Sequence, residues 1–328
     1  MVFNRRLLQG MVAAFGTLIL VLIVSPSGLL AQEVAECTIW VQPGESIQAA
    51  IDAAPEGAVI CLVEGEWVEN LRVENPITLR GAGAEHSVIR GSDGVTIVRI
   101  GSHDEIQVAI ESVTIAGAND VFYFDEPVAD GIMVLGTAHV TIANSIIRDT
   151  ADSITLWDQA HAVITKSTIL NSFYGGIKLW ESARAMITNC TITGSDFDGI
   201  WILDSAQATI TNSMIRDNRC GILLHGSAQA TITNCTISDN SLEGILLSGS
   251  AWAAIEGNEI AGNEDYGIII LFESPCCDTD QLFTGYVAGS NNSIPGSDEP
   301  DGNEEGAFCP NELSFLTTKQ GGELDRRE

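Results

Sequence analysis

The sequence predicts an all-β solenoid of stacked parallel strands, and three observations predict it. The chain carries a tandem repeat, aliphatic and polar residues alternate inside each unit, and a glycine recurs at one fixed position. From His139 the text divides without gaps into HVTIANSIIRDTADSITLWDQA, HAVITKSTILNSFYGGIKLWESA, RAMITNCTITGSDFDGIWILDSA, QATITNSMIRDNRCGILLHGSA, QATITNCTISDNSLEGILLSGSA and WAAIEGNEIAGNEDYGIIILFESP. These units are 22, 23, 23, 22, 23 and 24 residues long. A unit of two or three short strands cannot cover its own apolar side, but units stacked ~4.8 Å apart cover one another.

The elements follow in chain order. Arg5 and Arg6 precede a 14-residue apolar run from Met11 to Val24, and small residues lead to Ala31. Residues 1–31 are therefore expected to be an export signal cleaved near Ala31, because the run is short of the ~20 apolar residues a membrane span needs. Residues 32–106 are expected to hold an N-terminal cap and the first, irregular rungs. Within them, Ile47, Ala50, Ile51 and Ala54 follow helical spacing, Ser46 is a suitable N-cap, and Pro55-Glu56-Gly57 stops the helix. Such a helix would close the open end of a solenoid.

Residues 107–275 should form the regular rungs, with an insertion at 118–129, giving roughly ten rungs in all. Residues 276–328 are polar and acidic, and are expected to be a loose cap and tail. In register, Ile142, Ile164, Ile187, Ile210, Ile232 and Ile255 make one inner column. Asn144, Lys166, Asn189, Asn212, Asn234 and Gly257 make a second, expected to be an asparagine ladder at a turn. Gly199, Gly221, Gly244 and Gly267 precede the second strand as turn residues.

Composition narrows the function. With 15 basic and 44 acidic residues the formal charge is −29. Such a chain repels phosphate backbones, which excludes nucleic acid, and anionic membrane surfaces once the signal is removed. In an exported chain eight cysteines point to disulfides. Cys37 opens one early strand and Cys61 closes the next, so these two are expected to pair. Cys276 or Cys277 would meet Cys309. Cys190 and Cys235 lie two rungs apart, too far to bridge, and are expected as buried thiols.

The opening VQPGESIQAAIDAAPEGAVICLVEGEWVENLRVENPITLRGAG, followed by units of the form ITNCTI…GI, resembles the pectin-lyase-like right-handed parallel β-helix proteins, including pectin methylesterases and the NosD group. The resemblance runs from Cys37 to Pro275. It implies a single-stranded right-handed parallel β-helix with a short N-terminal capping helix, and carbohydrate binding or cleavage as the commonest role. The pectin methylesterase carboxylates and arginine motif are missing. His225-Gly226 stands without the aspartates and basic triplet of polygalacturonases, and the epimerase DPHE-type motif is absent.

Two groups of residues remain as candidate sites. Trp157 and Trp180 occupy one position in adjacent rungs and Trp201 shares their outer face, with Lys178 among them and Asp158, Glu181 and Asp204 at the next turn. Flat rings beside carboxylates suit sugars, whose C–H faces stack while hydroxyls hydrogen-bond. The same aromatic face, continued by Leu203, Leu223, Leu246 and Ile269, equally suits a surface protein or a second copy of the chain. Asp130, Asp152 and Asp198 precede the Gly-Ile turn in their rungs, near Asp125 and Glu126 of the insertion. They are the weak catalytic candidates, as an acid/base pair or as Ca²⁺ ligands. The alternative for this column is a solvated turn. His139 and His161 also stack, but Arg184 and Gln207 follow them, and no metal or other cofactor is expected there.

The leading expectation is an exported, non-catalytic module that binds a glycan or cell-surface partner. A polysaccharide lyase or hydrolase is the first rival. A NosD-like envelope accessory protein is the second.

Overall fold

The computed structural model describes residues 35–92, 94–101, 105–117, 129–271, 283–297, 302–309, 314, 316–318 and 322–325. The export segment up to residue 34, residues 118–128 of the insertion at 118–129, and Cys276 and Cys277 lie outside the described residues, and so do the expectations placed on them.

The chain winds as a parallel β-solenoid of about nine turns. One 12-stranded sheet collects the first strand of every rung, and a 17-stranded sheet collects the other two. Those two strand rows fuse because Ile146–Leu156 and Thr168–Leu179 each continue through the bend that elsewhere separates them, turning there at Asp149 and Asn171. Pairing is parallel through the regular rungs, with one register shift between Thr150 and Asp152, so residues at equivalent positions of the repeat stack on one another.

The inner isoleucine column forms as its spacing requires. Ile142 through Ile255 pair one above the other, and all six are fully buried. Each contributes ~1.5–3 kcal/mol by burial. The fixed glycines have a different reason from the one expected. Gly199, Gly221 and Gly244 do not take the left-handed backbone; a Cβ on them would lie 2.8, 2.5 and 2.6 Å from the carbonyl oxygen of the next glycine in the column. They are there so that adjacent rungs can approach.

The amide ladder also lies elsewhere. Asn144, Asn189, Asn212 and Asn234 are exposed, with φ of 51–56°, and serve as left-handed turn residues. The buried ladder is Asn218, Asn240, Asn263 and Asn303, whose side-chain oxygens accept the backbone N–H of the rung before at 3.0–3.2 Å. Cys190 and Cys235 are buried free thiols, continuing a column begun by Ser145 and Ser167.

Both ends are closed. Cys37 and Cys61 form the expected disulfide, with Cα atoms 5.7 Å apart. The capping helix is Ile47–Ala53, and the Ser46 hydroxyl accepts the Ala49 N–H at 3.1 Å. Glu69 completes the cap from a later rung by accepting the Ile47 and Gln48 N–H groups at 2.9 and 3.1 Å. Tyr286–Ser290 and Gly306–Cys309 extend the two sheets in parallel, and Gly322–Asp325 then pairs antiparallel on the edge. An antiparallel edge strand ends the stack, as exposed parallel edges need.

Candidate functional site

The third strand of each rung places one outward column along the second sheet. In register it reads Arg72, Arg99, Met133, Thr155, Lys178, Trp201, Leu223, Leu246 and Ile269. It starts cationic, passes through polar residues and ends apolar. The expected carboxylates precede it by three residues in their rungs, Trp157 and Trp180 follow it by two, and Trp201 lies within it.

Asp130, Asp152 and Asp198 are not on a solvated turn. They are only 3, 7 and 6% exposed. Burial pushes the Asp130 carboxyl up to about 8, and the neighbouring Asp152 charge adds to the rise. Burial pushes Asp198 up to about 6. Asp152 is likewise raised by burial, with Lys178 holding it back. The Lys178 ammonium lies 2.7 Å from Asp152 Oδ1 and is itself 7% exposed. It sits over the rings of Trp201 and Tyr174, at 4.8 and 5.4 Å from their centroids. Lys178 is thus a buried ion-pair partner, not a member of an open sugar-binding patch. Gly175 makes this arrangement fit: a Cβ there would lie 2.7 Å from Lys178 Cε, and its N–H donates to Asp152 Oδ1 at 2.8 Å.

The raised Asp130 carboxyl has a pH consequence. Between the ordinary value of 3.8 and about 8, the folded chain holds a proton that the unfolded chain has lost. Stability from this group is therefore present at acid pH and is lost as pH rises through about 8. The Asp130→Asn protein should lack this term. Its advantage over wild type in urea melts should grow with pH, by at most about 1.4 kcal/mol per unit. Parallel pH profiles for the two proteins would show that Asp130 titrates as a solvated carboxylate.

The tryptophans do gather on one face, but as a stack. Trp157 and Trp180 lie parallel, with ring centroids 4.9 Å and planes 1° apart, so each covers a face of the other. Trp201 tilts against Trp180 at 6.3 Å, with Lys178 over it. Trp180 and Trp201 also pack on an outer apolar cluster of Leu203, Leu223, Leu246 and Ile269, which are themselves buried. Those aliphatics are packing, not a free patch. Asp158, Glu181 and Asp204 have φ of 54–59° and turn the chain. Asp158 and Asp204 each also accept a backbone N–H of the preceding rung, at 2.8 and 3.0 Å.

What remains open lies at the N-terminal end of the stack. A cavity of about 490 Å³ is lined by Arg72, Glu74, Arg99, Leu135 and Asp158, with Gly101 and Gly136 leaving it hollow. Because Val134 pairs with Leu156, Leu135 precedes Trp157 in the same column, and the tryptophan stack begins at the cavity. Arg72 is held by Glu74 at 2.5 Å, whereas Arg99 has no carboxylate within ion-pair distance among the described residues. No group of three metal-ligating side chains occurs among the described residues. Arg72 and Arg99 do not stand out in the sequence, because their rungs depart too far from the repeat for its register to place them. The signal was present only as an arginine at the middle of LRV and VRI.

Stacked parallel rungs, a helical cap and three strand rows define a right-handed parallel β-helix protein. Residues 130–278 match the family model described as the right handed beta helix region. Among solved structures it is similar to the alginate lyase from Paenibacillus sp. str. FPU-7, at 20% identity and a TM-score of 0.61 over 80% of this chain and 94% of that one. It is also similar to pectate lyase Pel9A, at 13% identity and a TM-score of 0.54 over 72% and 75% of the two chains. Pectin methylesterase PemA from Erwinia chrysanthemi follows, at 13% identity and 0.50 over 76% and 94%. At these identities the likeness is one of fold. No curated protein matches the sequence.

Proposed function

We propose that the chain is an exported, non-catalytic module that binds a polysaccharide in the hollow between Arg72, Arg99, Leu135 and Asp158. One observation carries this reading. Arg99 is a guanidinium with no carboxylate within ion-pair distance among the described residues, in the lining of a cavity of about 490 Å³, in a chain of net charge −29 where acids outnumber bases almost threefold. Guanidinium and carboxylate groups in one cavity hydrogen-bond sugar hydroxyls as donors and acceptors, and Leu135 supplies apolar contact. The disulfide supports an oxidising, extracytoplasmic setting. The structural neighbours named as lyases of alginate and pectate, and as a pectin methylesterase, are consistent with a glycan ligand.

The test is a glycan-array screen of wild type and Arg99→Gln, with product analysis of every hit. The variant should lose affinity about tenfold, as loss of a charge-assisted contact does, with its melting temperature unchanged because Arg99 is exposed. Equal binding by both proteins would remove the hollow as the site. Polysaccharide cleavage by a lyase or hydrolase is the second reading. It is favoured by Asp130, whose carboxyl still carries a proton below about 8 and which sits beside a carboxylate–lysine pair. Unsaturated or new reducing ends among the products would establish it in place of the first.

A further inference from the structure

At one place in the first sheet, histidine stacks on histidine. The strands His139–Ala143 and His161–Thr165 pair in parallel and set His139 directly against His161. With the rungs ~4.8 Å apart, two imidazoles at the same outward position must meet. Their Nδ1 atoms lie 3.4 Å apart, and the rings stand at 90° with centroids 5.1 Å apart. That separation is long for a hydrogen bond from a ring N–H, which falls at about 2.7–3.2 Å. It suits a shared ion instead. Zinc takes imidazole nitrogens at about 2.0–2.1 Å with tetrahedral angles, which places two such nitrogens about 3.3–3.4 Å apart. An ion lying on both lone pairs in that geometry would put the ring centroids about 5.2 Å apart. Both distances agree with the pair.

The surroundings supply what a metal-bound histidine needs. Glu105 Oε1 lies 3.4 Å from His139 Nε2, the nitrogen that does not face His161. A carboxylate there keeps the proton on Nε2 and leaves the Nδ1 lone pair free, as an outer carboxylate does for histidine ligands. Burial, helped by the charges of His139 and Arg184, holds the His161 imidazole below its ordinary value, so it is an uncharged donor at neutral pH. Both rings line a cavity of about 450 Å³ with Thr78, Gln107 and Thr141, which gives an ion a way in and room for water. Gln107 precedes the pair in its column and Arg184 follows it, so the chain offers two ligands and solvent supplies the others. Arg184 opposes a cation; Glu105 and a net charge of −29 favour one. Two imidazoles select late first-row ions over Ca²⁺ or Mg²⁺, which prefer oxygen.

We propose that His139 and His161 form a site for a divalent transition-metal ion, with Zn²⁺ the ion whose tetrahedral geometry fits them and Glu105 the residue that orients His139. The site is on the first sheet, shares no lining residue with the hollow at Arg99, and stands whether or not that hollow binds a glycan.

The experiment titrates zinc chloride into the full chain by calorimetry, with accessible thiols capped and excess Ca²⁺ present to occupy surface carboxylates. Wild type and His225→Gln, which alters a histidine of another column, should bind one Zn²⁺ with equal affinity. His139→Gln and His161→Gln should each weaken binding at least about tenfold, and Glu105→Gln about tenfold. Melting temperatures without metal should match wild type, because neither histidine is part of the inner core. Wild type loaded with Cu²⁺ in place of zinc should show hyperfine coupling to two imidazole nitrogens by electron paramagnetic resonance. Absence of Zn²⁺ binding by wild type overturns the proposal. So does unchanged affinity in either His139→Gln or His161→Gln, or a Cu²⁺ spectrum with fewer than two nitrogens. Unchanged affinity in Glu105→Gln overturns the orienting role of Glu105.

Discussion

Replacing Lys178 by methionine should destabilise the fold by about 3–5 kcal/mol near pH 8, the usual cost of breaking a buried ion pair from one side. The side chains of Lys178 and Asp152 are 9% and 10% exposed, so water cannot take the place of the missing ammonium. Asp152 would keep only the Gly175 N–H, at 2.8 Å. One hydrogen bond does not offset the desolvation of a carboxylate. The remaining escape is protonation, which burial already favours at both Asp152 and Asp130. The penalty should therefore shrink as pH falls, since at acid pH the variant buries a neutral carboxyl. Urea melts at pH 5 and pH 8 give both values. Adding Asp152→Asn to Lys178→Met should restore most of the loss at pH 8, because neither charge is then left alone. A single-variant loss under about 1 kcal/mol at both pH values would mean the pair is solvated.

The fold was legible because it is periodic. A repeat in register shows its inner column directly, and Ile142 to Ile255 read the same in sequence and in structure. The disulfide and the Ser46 cap were legible because each depends on a few adjacent residues. What did not read through is contact between rungs at positions of mixed chemistry. The sequence puts Asp152, Gly175 and Asp198 in one column, but not that the missing side chain at Gly175 admits Lys178 between the acids. It puts three tryptophans on one face, but not that two of them close against each other at 4.9 Å. The asparagine ladder was placed one turn away from where it lies, because exposed left-handed turns and buried ladders draw on the same residue. Arg72 and Arg99 escaped notice for a related reason: without a clean repeat, register cannot be read, and an outward arginine looks like any other surface charge.

Ile210→Ala should cost about 2–5 kcal/mol, through lost burial plus the cavity left behind. Ile210 is fully buried, with Ile187 and Ile232 paired directly on either side of it. Both neighbours lose packing at once, and neither can move inward without breaking its own register. Ile210→Val removes one methylene and should cost about 0.5–1.5 kcal/mol. Thr209→Ala, one residue away on the exposed outer face, should cost under about 0.5 kcal/mol. Equal midpoint losses for Ile210→Ala and Thr209→Ala in urea would mean that the strand is turned inside out. The slope of the same transition carries further information. Rungs of a solenoid touch only their neighbours, so its stability is a chain of nearest-neighbour contacts. A cavity at Ile210 weakens the link on each side of the rung that begins at Gln207, to the rungs that begin at Arg184 and Gln229. If these links are weaker than the capped ends, the C-terminal rungs melt separately, and the m value falls together with the midpoint. If the N-terminal disulfide and the antiparallel C-terminal edge hold the stack as one unit, only the midpoint moves.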